Sequence, residues 1–370
     1  MKVIIGGGGT GGHIFPAISI ANALREADES VEILFVGANG KIEMEKVPAA
    51  GYKIEGLPVA GFQRRLTWRN VWRNIQFPFK LVYSLWRADS IVRNFKPDVA
   101  VGVGGYASGP VLQRAAAHGV PCLLQEQNSL PGVTNRLLAD KANRICVAYP
   151  NMERFFPREK IILTGNPIRQ NLTNEIDQAE ARKSFGLDPM RPTILVIGGS
   201  LGARSINNGL RDSIDEATDD VQMIWQTGSL YYEEMKAAVE PKHKKNVVIT
   251  AFVRDMDKAY AAADVVVSRA GAGSISELAM LGKACILVPS PNVSEDHQTK
   301  NARALENEGA AVMVVDSETN TLIARAKELL NDKDKMESLR GQILSFARPN
   351  AARDIAREVM ALVQKSNQTD

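Results

Sequence analysis

Apolar, β-branched runs recur along the chain at 3–5, 31–36, 98–103, 193–197, 247–251 and 264–267, and each stops at glycine or a polar turn. Stretches with apolar residues three and four apart follow most of them. Unbroken apolar runs predict strands covered on both faces, and their alternation with amphipathic helices predicts parallel sheets with crossover helices, the doubly wound α/β class. The pattern also repeats. KVIIGGGGTGGH, ending at His13, matches TILVIGGSLGAR at 193–204; DVAVGVGGYASGP from Asp98 matches DVVVSRAGAGSIS from Asp264; GVPCLLQEQN from Gly119 matches GKACILVPSPN from Gly282. Three matches in one order imply two Rossmann-like domains facing each other across a cleft. A join is expected near Asn166-Pro167, because a residue before proline is pushed out of helix. A second crossing is expected around Pro349, which would return the last helix, about 351–364, to the first domain. The expected division is 1–165, completed by 347–370, and 166–346.

The glycine runs are the first candidate chemistry. Gly6, Gly8 and Gly11 satisfy G-x-G-x-x-G after a strand, with Pro16 expected in the first turn of the following helix. Bare backbone N–H groups and a helix N-terminus suit a phosphate. A dinucleotide site would also need a carboxylate at the end of the second strand, where this chain has Val36, Gly37, Ala38 and Asn39. The NAD reading is therefore disfavoured, and no GxxxxGK[ST] signals a P-loop. GGSLGAR at 198–204 is the counterpart loop, with Ser200 and Arg204 as polar groups; packing alone would also account for its glycines. Ser274 and Glu277 have capping-box spacing, so Glu277 either caps a helix or holds the ribose of a nucleotide.

Charge changes the picture in one place. Residues 61–88 hold six bases (Arg64, Arg65, Arg69, Arg73, Lys80, Arg87), no acid, and three of the four tryptophans. Trp68, Trp72, Ile75, Phe79, Val82 and Trp86 step by four and three along one helical face, with Pro78 starting or kinking the helix. Either this stripe packs on the core, or it rests on an anionic membrane with a basic rim.

The remaining composition excludes more than it proposes. At 370 residues and 45% hydrophobic, the chain is a folded protein of about two domains. A net charge of +3 is too mild to argue for nucleic acid. Cys122, Cys146 and Cys285 are scattered, which suggests reducing surroundings and no structural zinc. The apolar start is too short for a signal peptide, and no run is long enough for a membrane span. His13 ends the first glycine loop, where a helix N-terminus should lower its pKa and leave it a neutral base, or an imidazole that only orients the loop. Glu126 is the second base candidate. His118 and His243 look structural or solvated. Asp255-Met256-Asp257 has the spacing of a metal–diphosphate ligand but is expected to cap a helix. No obligatory metal and no cofactor are expected.

GGTGGH at 8–13, GGYASGP at 104–110, QEQN at 125–128 before GVTNRLLA, GNPIR at 165–169, GGSLGAR, AGAGSISE at 270–277 and EDHQTKNA at 295–302 resemble the MurG glycosyltransferases, from the first strand to past residue 302. The resemblance implies the GT-B architecture. It also implies inverting transfer of N-acetylglucosamine from UDP-GlcNAc to O4 of MurNAc in lipid I, undecaprenyl-diphospho-MurNAc-pentapeptide, giving lipid II for peptidoglycan. It places the enzyme peripherally on the cytoplasmic face of the bacterial plasma membrane. Matched motif by motif, it implies Ser200 at the diphosphate, Val253 at uracil, Glu277 at the ribose, and Gln298 with Asn301 at the sugar. Ala272, Gly273 and Ser274 would add backbone donors. Thr10, Gly11, Gly12, Asn128 and Arg169 would close the site from the first domain, with His13 or Glu126 as base. Where some relatives have paired glutamines, this chain has His297-Gln298. The membrane face would comprise Arg69, Trp72, Arg73, Ile75, Phe79, Lys80, Val82 and Trp86. A UDP-GlcNAc 2-epimerase, a dehydrogenase and a non-catalytic membrane module are the competing classes.

Overall fold

The computed structural model describes residues 1–59, 77–168, 172, 175–199, 201–242, 245–293 and 296–366. Expectations for Arg69, Trp72, Arg73, Ile75, Arg169 and Ser200 fall outside these residues. The chain divides into two compact units, Met1–Ile168 with Arg348–Asp370, and Arg169–Ala347.

In the first unit the described strands are β1 (Lys2–Gly6), β2 (Glu32–Ala38), β3 (Lys53–Leu57), β4 (Val99–Gly102), β5 (Cys122–Glu126), β6 (Arg144–Val147) and β7 (Ile161–Leu163). They form one parallel sheet in the order β3-β2-β1-β4-β5-β6-β7. The helices are α1 (Gly11–Ala27), α2 (Glu43–Ala49), α3 (Phe77–Phe95), α4 (Ser108–Ala117) and α5 (Val133–Leu138). Val3 and Ile5 point into one core with Ile14, Ile20 and Leu24 of α1, while Ile4 points into the opposite core with Leu112 and Leu124. Both faces are covered, which is why β1 reads as an unbroken apolar run rather than an alternating one.

The second unit has β8 (Thr193–Ile197), β9 (Gln222–Gln226), β10 (Val247–Thr250), β11 (Val265–Arg269), β12 (Ala284–Val288) and β13 (Val312–Met313). Their order is β10-β9-β8-β11-β12-β13. The helices used below are α6 (Gln178–Ser184), α7 (Arg204–Asp212), α8 (Tyr232–Val239), α9 (Met256–Ala262), α10 (Ala272–Met280), α11 (His297–Asn307), α12 (Leu322–Asn331) and α13 (Lys333–Leu344). The three sequence repeats fall on β1 and β8, β4 and β11, and β5 and β12, which hold the same places in the two sheets. In each sheet the order reverses beside the first strand, so both glycine loops leave the carboxyl end of a strand at a topological switch point, where open α/β sheets bind ligands. The last helix, α14 (Ala351–Ser366), packs Ile355, Ala356, Val359 and Leu362 into the core of the first unit beside α1. Burial of Ile355, Val359 and Leu362 contributes about 1.5–3 kcal/mol each.

One sequence expectation needs correction. Helix α1 begins at Gly11, so Pro16 lies in its second turn rather than its first. Proline has no N–H, and the Gly12 carbonyl loses the donor that position 16 would otherwise supply. The apolar stripe of α3, left open between core and membrane by the sequence, does not face the core at the positions described. Ser84, Ala88, Ile91 and Val92 form its buried face, whereas Phe79, Val82 and Trp86 are 76%, 67% and 65% exposed. The Tyr83 ring, also exposed, stacks on Trp86 with centroids 5.9 Å apart. Arg87 pairs with Glu55 at 3.0 Å. Among the described residues no helix is long and apolar enough to cross a membrane.

Candidate active site

In the first unit the site grows from the β1 loop. Thr10 is the N-cap of α1, yet its hydroxyl makes no capping bond; instead Oγ1 lies 3.2 Å from His13 Nδ1. A proton on Nδ1 donated to Thr10 leaves Nε2 as the basic nitrogen; the reverse tautomer leaves it blocked. The His13 ring is half-buried against Gly104: a Cβ there would lie 3.0 Å from Nε2. Gly104 and the next residue, Gly105, have φ of 88° and 83°, left-handed conformations that favour glycine, and a Cβ on Gly105 would strike the Gly8 carbonyl. The loop after β4 is thereby pressed onto the loop after β1. Gly11 and Gly12 offer the first N–H groups of α1, which a helix cannot satisfy internally.

Glu126, at the end of β5, is 2% exposed. Its Oε1 accepts from Asn128 N at 3.0 Å and Asn128 Nδ2 at 3.3 Å; its Oε2 accepts from Gly132 N at 3.1 Å and Asn135 Nδ2 at 2.8 Å. Burial pushes its pKa up, and these four donors pull against that. Four donors occupy the sites a carboxylate offers, so the geometry makes Glu126 the organiser of the 126–135 segment. Around it lies an amide network. Gln125 donates to Asn166 at 3.0 Å, Gln127 donates to Val103 O at 2.7 Å and to Gln125 Oε1, and Asn166 donates to Gln127 O at 3.0 Å. Asn128 sits at its edge, half-buried.

In the second unit Gly271 is the N-cap of α10 and makes no side-chain cap. Ala272, Gly273 and Ser274 are the first turn, and Glu277 lies in the second. The capping box that the spacing of Ser274 and Glu277 suggested is therefore not formed. Instead Glu277 Oε2 accepts a hydrogen bond from Tyr260 Oη at 2.9 Å, and Tyr260 is itself buried in α9. The Val253 N–H is taken by Gln226 Oε1 at 2.9 Å, and Gln226 Nε2 donates to Gly199 O at 3.0 Å, tying the β10 end to the second glycine loop. Gln298 accepts from Ser290 N at 2.9 Å, and buried Asn301 reaches Ala270 O at 3.4 Å, so α11 is fastened to the loops after β11 and β12. Arg269 donates to Asp316 and to Ser205, each at 2.6 Å, holding the end of β11. Arg204 lies over the Tyr231 ring at 5.0 Å.

Asp255 is the N-cap of α9 but makes no side-chain capping bond, and pairs instead with Lys258 at 3.7 Å. Among the described residues no three His, Cys, Asp or Glu side chains converge on a metal-sized site. His118 is bound to Asp89 at 2.8 Å, with Arg114 on the same oxygen at 2.7 Å, and ties α4 to α3. The three cysteines are free and buried, and burial pushes each thiol up to about 12. Sequence reasoning missed Tyr260, Gln226 and the amides of Gln127, Asn135 and Asn166. Asn135 and Asn166 lie inside motifs it had singled out, whereas Tyr260 gives no local signal.

Residues 3–147 match the Glycosyltransferase family 28 N-terminal domain, and residues 193–356 match the Glycosyltransferase family 28 C-terminal domain. A Bacteroides fragilis protein named UDP-N-acetylglucosamine–N-acetylmuramyl-(pentapeptide) pyrophosphoryl-undecaprenol N-acetylglucosamine transferase is 56% identical over 99% of this chain and 97% of its own. A Bacteroides thetaiotaomicron protein of the same name is 54% identical over 99% of each. The crystal structure of Acinetobacter baumannii MurG superposes with a TM-score of 0.75 at 27% identity, covering 97% of this chain and 99% of that one. The architecture is GT-B, and the chain belongs to the MurG family of N-acetylglucosamine transferases within glycosyltransferase family 28.

Proposed function

We propose that this chain transfers N-acetylglucosamine from UDP-GlcNAc to O4 of MurNAc in undecaprenyl-diphospho-MurNAc-pentapeptide, with inversion at the anomeric carbon. The observation that carries the donor half is Glu277, which does not cap its helix and is steadied by the Tyr260 hydroxyl. Its carboxylate bridges the ribose hydroxyls. The N-terminus of α10, with the N–H groups of Ala272, Gly273 and Ser274, takes the diphosphate and stabilises the charge that develops on departing UDP. Uracil N3–H donates to the Val253 carbonyl, since the Val253 N–H is already engaged. Gln298 and Asn301 meet the sugar, Ser200 meets the diphosphate, and Arg169 closes the site opposite them with Thr10 and Asn128.

In the first unit His13 is the general base. With Nδ1–H donated to Thr10, Nε2 takes the proton of the MurNAc O4 hydroxyl as that oxygen attacks the anomeric carbon opposite UDP. One bond forms, the glycosidic C–O; one breaks, from the anomeric carbon to the diphosphate. Gly11 and Gly12 present N–H groups to the acceptor, and Glu126 holds Asn128 toward it. A polyprenyl acceptor does not leave a bilayer cheaply, at about 0.8 kcal/mol per methylene. The exposed Phe79, Val82 and Trp86 of α3, with Lys80 and with Arg69, Trp72, Arg73 and Ile75 earlier in the sequence, bring the enzyme to anionic lipid at the cytoplasmic side of the membrane.

The reading is tested by following UDP release with UDP-GlcNAc in the presence and absence of a lipid I analogue. Release that requires the analogue supports it; acceptor-independent conversion of UDP-GlcNAc to its 2-epimer would replace it with the epimerase reading.

A further inference from the structure

Glu43, the first residue of α2, has 0% exposure and no cationic partner among the described residues. Its Oε2 accepts from the Gly9 N–H at 2.9 Å and its Oε1 from the Ala38 N–H at 2.9 Å. Glycine on both sides makes room for it, because a Cβ on Gly8 or on Gly37 would run into the Glu43 side chain. One carboxyl group thus sits between the β1 loop and the end of β2, with each oxygen on a different segment. Burying a carboxyl group is costly unless it is hydrogen-bonded, and these two N–H donors offset that cost.

Where a dinucleotide-binding sheet places a ribose-binding acid at the end of its second strand and a diphosphate against the glycine loop, this chain fills the space from α2. The N–H of Gly9 is occupied by the protein's own acid. Gly9 precedes Thr10, whose hydroxyl meets His13 Nδ1. We propose that Glu43 is a positioning residue for the transfer reaction: it fixes the first glycine loop so that Thr10 sets the tautomer and direction of His13. This inference rests on the reading of His13 as base.

Glu43→Gln keeps the shape but sets an NH₂ group against a backbone N–H, and Glu43→Asp keeps the acid but is too short to reach both segments. In the full-length protein, both variants should lower turnover roughly tenfold to hundredfold, as a displaced catalytic group does, with UDP-GlcNAc affinity unchanged because the donor residues lie in the other unit. The imidazole nitrogen resonances of His13 should shift in both. Normal turnover and unshifted resonances in a folded variant overturn the proposal, whatever happens to the melting temperature. If neither variant folds, the wild-type amide protons of Gly9 and Ala38 decide: strong downfield shifts are expected for N–H groups bound to a carboxylate, and ordinary shifts overturn it. His13→Ala, assayed alongside, separates the two claims. Full turnover in that variant removes the base reading, while the resonance shifts still report whether Glu43 governs the loop.

Discussion

The Tyr260 hydroxyl donates to the Glu277 carboxylate across 2.9 Å, from α9 to the second turn of α10. A hydrogen bond to a charged group contributes about 1.5–3 kcal/mol, and here it orients a side chain whose other work is to hold a ligand. Tyr260→Phe should weaken UDP-GlcNAc binding roughly fivefold to tenfold, and Glu277→Ala should weaken it by about 1.5–3 kcal/mol. In the double variant the two losses should not add, since Tyr260 acts through Glu277. Calorimetric titration of the four proteins checks this; fully additive losses would mean that Tyr260 contributes only to packing.

His13 and Glu126 should separate by what each removal damages. His13→Ala should cut turnover by about 10²–10⁴ with little change in melting temperature. Glu126→Ala strands the N–H donors of Asn128, Gly132 and Asn135 in a buried place, at about 1–3 kcal/mol each, so it should lower the melting temperature together with turnover. An inactive Glu126→Ala protein that melts like wild type would transfer the role of base to Glu126.

How much of this was legible depended on distance along the chain. The strand-plus-glycine repeats are local signals, and they fell on matching strands of the two sheets. The stripe through Phe79, Val82 and Trp86 was legible as a face but not as an outer face, because periodicity alone does not say which side a helix turns to the core. Spacing to Ser274 left Glu277 open between a helix cap and a ligand group, since nothing local marks Gly271 as the helix start. Tyr260, 17 residues from Glu277, and Glu43, 34 residues from Gly9, meet their partners only through the crossovers. Pro16 misled by its usual place in a first turn, whereas α1 starts five residues before it.

The α3 face supplies a membrane prediction. Phe79→Glu with Trp86→Glu replaces exposed side chains and should leave the melting temperature and UDP binding intact. Sedimentation with anionic vesicles should fall strongly, and wild-type binding should fade as salt rises, each base contributing up to ~1 kcal/mol. Undiminished vesicle binding by the double variant would place the docking surface elsewhere.

Lys283 gives a pH prediction. Burial, aided by nearby Arg340, pushes its ammonium down to about 8, while its Nζ donates to Ala263 O at 3.0 Å. An amine whose folded value lies below its unfolded value of about 10.4 stabilises the fold fully only above that unfolded value, and the contribution is lost as pH falls through the folded one. Wild-type stability relative to Lys283→Met should therefore rise between pH 8 and pH 10. Urea unfolding of both proteins at several pH values measures it; a flat difference would mean that the amine is solvated.

The central claim is the bond that is made. Purified protein incubated with UDP-GlcNAc and a lipid I analogue should yield a lipid-linked disaccharide whose mass is raised by one N-acetylhexosamine. Proton NMR should show a β linkage to O4 of MurNAc, the outcome of a single displacement from the α-linked donor. An α linkage, attachment at another hydroxyl, or consumption of UDP-GlcNAc with no disaccharide formed would contradict the account.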